Sequence, residues 1–332
     1  MERVRHGTFF AHQGWYPGSS KACQRQIDQF IQDSRAEPGS ADLGEASPAE
    51  ARPAGAHPGE ARLDGNQHNV AGRDEHQPAE FRRGDLLPGR AGVVPHAGWA
   101  FSGGIAARVF EALARLAGPC DTLVLFGGHL GPRSPGWVLS SGIWPTPLGE
   151  VEVDTELAEA LSGAARLPAV GPGDYEPDNT IELQLPFIKA LLPEVRLVAA
   201  GMPARPQAYE AGQAAAKEAA RLGRNILVVG STDLTHYGPN YGFEPAGRGR
   251  DGLAWVKEKN DRRALDLMLA LDPEALRTGA LESHFCCCPG AAAAALGAAK
   301  TAGAKEGQLL EYLTSYDVRP GESFVGYAGL VF

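Results

Sequence analysis

From residue 83 onward, short apolar runs alternate with longer stretches of helical periodicity, and this alternation limits the chain to few architectures. The strand-like runs are 91–95, 122–127, 136–140, 196–202, 225–230, 308–315 and 323–332. The helical stretches are 105–116, 154–161, 180–192, 206–222, 251–271 and 289–302. Strands separated by helices predict a three-layer α/β/α domain with a mainly parallel sheet covered on both faces. The last two strands, joined around 319–322, predict an antiparallel hairpin at one edge.

Residues 1–35 read as an N-terminal segment of the main domain. They carry Gly14-Trp15-Tyr16-Pro17 and an amphipathic stretch from Ser20 to Gln32, with Ile27, Phe30 and Ile31 on one face. Trp15 and Tyr16 serve either as packing anchors or as a pocket wall. Residues 36–82 change character. They are rich in Ala, Pro, Gly, Glu and Arg, and too poor in large apolar residues to offset their ordering entropy. This predicts a disordered insertion, and its His57, His68 and His76 are discounted as ligands. The α/β domain is expected over 83–332.

The 332 residues are 43% apolar, enough for a sizeable core. The net charge of −9, with no basic stripe, argues against a nucleic-acid partner. No run is long enough for a membrane span, and Met1–Gln13 lacks the apolar core of a signal peptide. Five cysteines, three of them consecutive, form no disulfide framework. A cytoplasmic protein with reduced thiols is expected.

In open α/β sheets, ligands bind beyond the carboxyl ends of the strands. Only four histidines follow residue 80, and three of them stand at such positions. His96 follows Ala91–Pro95, His129 follows Leu123–Phe126 and Gly127-Gly128, and His236 follows Ile226–Gly230 within Ser-Thr-Asp-Leu-Thr-His-Tyr. The fourth, His284, reads as a loop residue. Two imidazoles and an anionic ligand with open positions make a non-haem iron site, and a thiolate in that role also suits copper or zinc. Cys286-Cys287-Cys288 precedes a helix N-terminus, which favours a thiolate. Asp233 is placed to orient His236 as a general base, or to bond the backbone locally. A cysteine–histidine hydrolase on Cys287 and His236 is a competing chemistry. Asp178 and Asn179 read as helix caps, and Ile181, Leu185, Ile188 and Leu192 as a core stripe.

Taken together, these motifs resemble those of the Memo (mediator of cell motility) family, whose prokaryotic members are called AmmeMemoRadiSam system protein B. The resemblance rests on Gly14–Pro17, Pro95-His96-Ala97-Gly98-Trp99, Gly128-His129, Thr146–Asp154, Ile181–Phe187, Ser231–Tyr237 and Val325–Ala328. It implies a fold similar to the class III (LigB-like) extradiol dioxygenases. It also implies His96, His129 and Cys287 (or Cys286, if the loop slips by one) as ligands of Fe(II) or copper, and His236 as acid or base. Trp15, Trp99, Phe101 and Asn179 would line a pocket for a small molecule or peptide. The family association further implies partners from a radical-SAM system, and a non-enzymatic metal- or ligand-binding module is the alternative to an oxidoreductase. Three departures from the family pattern stand out. Asp178-Asn179-Thr180 replaces Glu-His-Ser, the pocket aromatics Trp99 and Phe101 lack a phenolic hydroxyl, and Cys288 stands in place of a glycine.

Overall fold

The computed structural model describes residues 2–35, 90–116 and 118–332. The segment expected to be a disordered insertion, 36–82, lies outside them. The chain opens with α1 (Phe9–His12) and α2 (Ser20–Arg35), then enters the sheet with β1 (Ala91–Val94). There follow α3 (Trp99–Leu116), β2 (Thr122–Gly127), β3 (Trp137–Leu139), β4 (Ile143–Thr146), β5 (Gly149–Glu152), α4 (Thr155–Ala165) and β6 (Ala169–Val170). Next come α5 (Asn179–Glu182), α6 (Leu185–Leu191), β7 (Arg196–Gly201), α7 (Gln207–Arg221), β8 (Ile226–Ser231) and β9 (His236–Tyr237). The last part holds α8 (Arg250–Trp255), α9 (Asp261–Leu269), α10 (Pro273–Ser283), α11 (Pro289–Thr301), β10 (Gln308–Thr314), α12 (Ser315–Val318) and β11 (Phe324–Val331).

The main sheet runs β10-β11-β1-β8-β2-β7-β3-β6, with β9 added on β11. Its centre, β1-β8-β2-β7, is parallel. Antiparallel pairs flank it at β10-β11-β1 and at β7-β3. A small hairpin, β4-β5, stands apart. Helices α2, α3 and α6 pack together on one side, and α4, α7, α10 and α11 on the other, giving three layers. Strands β2 and β8 are buried throughout, as continuous apolar runs in a doubly covered sheet should be.

Three helices depart from their sequence pattern, each for a local reason. Helix α3 starts at Trp99, six residues before the expected Ile105, and Ser102 lies inside it with its hydroxyl donating to the Ala97 carbonyl. Gly103 interrupts the apolar periodicity because the Phe30 ring covers it: an added Cβ would lie 2.7 Å from that ring. The expected helix 180–192 is two, α5 and α6, since Pro186 cannot donate back to Glu182. The expected helix 251–271 is α8 and α9 joined through a wider π turn over Val256–Asn260. That turn brings Asn260 and Asp261 against Thr235: Asn260 Nδ2 donates to its hydroxyl at 3.0 Å, and its amide donates to Asp261 Oδ1 at 3.0 Å. Helix α10, capped by Asp272, was not anticipated.

The N-terminal segment is held by one buried carboxylate. Glu182 Oε1 accepts from the Phe10 and Ala11 amides (2.8 and 3.2 Å) and from the Tyr16 hydroxyl (2.9 Å). Ile27 and Ile31 of α2 are buried, and Phe30 lies edge-on to Trp99. Burial pushes the Glu182 carboxyl up to about 7, with the three donors opposing. The folded protein then keeps a proton that the unfolded chain releases near the ordinary value of 4.5. Stability from this group is therefore fully present at low pH and is lost as pH rises through about 7. The urea midpoint of the wild type should fall between about pH 5 and about pH 8, and that of Glu182→Gln should fall less. Equal falls in the two proteins would remove Glu182 as the source.

Candidate metal centre

The strand order places the site. Strand β8 lies between β1 and β2, so the loops leaving β1 and β2 flank the end of β8. Val94 pairs with Ser231, and the chain beyond Val94 carries His96 over that serine. His96 Nδ1 lies 3.0 Å from Ser231 Oγ, and its amide donates to Asp233 Oδ1 at 2.7 Å. Helix α11 seats on β8 at Gly230, where a Cβ would lie 2.5 Å from the Ala291 carbonyl oxygen. This close approach brings the residues just before α11 to the same strand end.

There His96, His129, Cys287 and Cys288 converge, their ligand atoms all within 4.8 Å of one another. Cys287 Sγ lies 3.2 Å from His96 Nε2, and the two imidazoles stand edge to face with centroids 4.9 Å apart. The outward nitrogens are occupied. Ser231 meets Nδ1 of His96, and Asp178 Oδ1 lies 3.4 Å from Nδ1 of His129. A carboxylate behind a histidine fixes its ring and raises its basicity, as around bound metals. His96 is 1% exposed, whereas the His129 side chain is 46% exposed, so the group is reached from the His129 side.

The electrostatics favour a thiolate. Burial alone would push the Cys287 thiol up, but a hydrogen bond from Cys288 and the two imidazoles hold it well below the ordinary thiol range. The Asp233 amide also donates to Cys287 Sγ at 3.3 Å. The Asp178 hydrogen bond, with help from Cys287, pushes His129 up to about 10. Burial opposes ionisation of Asp178, yet His129 and Thr180 hold its carboxyl well below the usual carboxylate range. Without a metal, these shifts favour an imidazolium beside the Cys287 thiolate.

Three consecutive residues brace both histidine loops. Asp178 Oδ2 accepts from the His129 amide at 3.1 Å, Asn179 Nδ2 donates to the His96 carbonyl at 2.9 Å, and Thr180 Oγ1 accepts from the Gly128 amide at 2.7 Å. Asp178 also caps α5 by accepting from the Thr180 amide. Gln184 adds a bond from its Nε2 to the Pro95 carbonyl at 2.9 Å. The capping signal at Asp178 was legible in the sequence; its partner His129, 49 positions away, was not.

The other expected site residues sit as follows. His236 opens β9; its Nδ1 lies 3.2 Å from the Leu234 carbonyl, and its ring stands edge-on to Tyr241. Asp233 serves His96 rather than His236, so the expected orienting bond is replaced by the Leu234 carbonyl. The imidazole that meets Cys287 is likewise His96, not His236. Cys286 is buried outside the group. Trp15, half exposed, and the buried Tyr16 and Trp99 line a cavity of about 620 Å³ with Phe101 and Gly98. Trp99 is also core: it stacks on Phe187 at 4.3 Å and donates to the Leu183 carbonyl. A smaller cavity of about 290 Å³ shares Phe101 and reaches Tyr241 and Tyr327.

Comparison with known proteins places the chain among relatives. The family model described as Memo-like protein matches residues 74–331. A MEMO1 family protein of Thermococcus onnurineus is 36% identical over 251 residues, covering 73% of this chain and 86% of the relative. One from Methanopyrus kandleri is 37% identical over 252 residues, covering 74% and 83%. A solved structure, an uncharacterized protein of Escherichia coli K12, is similar at TM-score 0.45 and 13% identity, covering 73% of this chain and all of that one. Among the described residues no helix is long and apolar enough to cross a membrane. By the extent of its match to the family model and by its identity to these relatives, the chain belongs to the Memo family.

Proposed function

We propose that this Memo-family protein holds a single metal ion through His96, His129 and Cys287, and that the metal, Fe(II) or copper, makes it an oxidoreductase related to extradiol dioxygenases. The observation that carries the reading is the convergence of these three donors at the strand ends, with the outward nitrogen of each histidine already occupied. The donor set fits. Two neutral imidazoles and one thiolate suit iron or copper, and more softly than two imidazoles and a carboxylate would. Bound there, the ion supplies a redox couple and a Lewis-acid position.

The chain's own residues supply the rest. Ser231 and Asp178 fix the rings, and the Asp233 amide steadies the Cys287 sulfur. With its Nδ1 at the Leu234 carbonyl, His236 has Nε2 to take or deliver a proton as acid or base. Trp15, Trp99 and Phe101 give the cavity that meets the His96 loop at Gly98 an aromatic wall suited to a small molecule or an apolar peptide side chain. A second reading, a non-enzymatic metal-holding module serving a radical-SAM system, is favoured by one observation: a fourth donor, Cys288, stands beside the three.

Protein purified without oxygen should carry iron or copper in stoichiometric amount, and both His96→Ala and Cys287→Ala should lose it. A wild type that stays metal-free after anaerobic iron and copper loading would sink the proposal. Asp178→Asn should keep its fold and weaken metal affinity about 10- to 100-fold, read by competition with a chelator. An unchanged affinity would show that Asp178 only caps α5.

A further inference from the structure

We propose that Cys288 is a fourth ligand, so that His96, His129, Cys287 and Cys288 form a closed centre of two nitrogens and two sulfurs. The inference rests on the metal-binding part of the reading above and replaces the open position of its resting ion with a fourth ligand, so the oxidoreductase part would need a ligand to leave. Four observations carry it. The Cys288 sulfur lies within 4.8 Å of the ligand atoms of the other three residues. The residue is 2% exposed, so its thiol is committed to the interior. It occupies the N-cap of α11, yet its side chain makes no capping hydrogen bond, and the sulfur turns instead to that of Cys287. Its amide donates to Thr232 Oγ1 at 3.0 Å while that of Cys287 donates to the Asp233 carbonyl at 3.2 Å, which fixes both cysteines against the loop beyond β8.

The backbone explains how neighbouring residues serve one ion. Consecutive side chains of an extended strand point to opposite faces. Cys288, with φ −125° and ψ 60°, leaves that conformation as the chain turns into α11. Its sulfur can therefore share a side with that of Cys287. Cys286, one residue earlier, stays outside the group.

The chemistry follows from the donor set. A three-ligand site keeps an open position for substrate, whereas four protein ligands close a tetrahedral site. Two thiolates and two imidazoles match Zn(II) or Cu(I) better than Fe(II). Two negative sulfurs neutralise a divalent ion, which lowers the cost of burying it. Binding releases the thiol proton of Cys288 to solvent. The resting centre then retains its metal, and a small molecule reaches the ion only by displacing a ligand.

Wild-type protein loaded with zinc without oxygen and examined by X-ray absorption at the zinc edge tests this without a mutation. Two sulfur scatterers at roughly 2.3 Å and two nitrogens at roughly 2.0–2.1 Å are expected. One sulfur per zinc would overturn the fourth ligand and leave the three-ligand reading standing. Failure to bind zinc, iron or copper at all would overturn both. In cobalt-loaded protein, Cys288→Ala should cut the thiolate-to-cobalt absorption by about half while still binding the metal, and Cys286→Ala should not change it. Equal absorption in wild type and Cys288→Ala would also reject the proposal.

Discussion

The contact between α11 and β8 governs the site. Gly230 lets the helix backbone approach the strand, and only at that distance do the cysteines before α11 reach the end of β8. The histidines arrive from the two neighbouring strands, β1 and β2. Three segments distant in sequence thus meet because one strand carries no side chain at one position. The alanine-rich face of α11 serves the same end. Its residues from Pro289 to Ala299 are buried, and small side chains keep it close to both the sheet and α7.

Much of this was legible in the sequence. The parallel centre of the sheet followed from continuous apolar runs such as Leu123–Phe126, which admit few other roles. The histidines at strand ends stood out because the topological rule for open sheets needs only the strand positions. The second antiparallel contact, β3 on β7, was not visible, since a three-residue strand carries no direction in its pattern. Nor was the work of Asp178, Asn179 and Thr180. Each residue suits a helix start, and that local explanation is correct for Asp178. Their bonds to the loops of His129 and His96 span long sequence separations that periodicity does not register.

Asp233 shows the same limit. Its proximity in sequence to His236 suggested an orienting pair. In the fold the loop beyond β8 turns the carboxylate back to the amide of His96, while Thr235 is taken by Asp261. The motif is thus divided: its aspartate supports the metal ligands and its histidine faces Tyr241. Two functions read as one because the four residues 232–235 between β8 and β9 turn the two side chains to different neighbours.

The position of β11 bears on how the chain is assembled. It inserts between β10 and β1, and it also carries β9. Of the described strands, β1 is made first and keeps one edge unpaired until β11, the last of these, leaves the ribosome. The parallel centre can form earlier, but the nascent chain exposes an apolar strand edge throughout the synthesis of everything between. Truncation within β11 therefore reopens the middle of a sheet, not its margin, and leaves two new edges ready to pair with other chains.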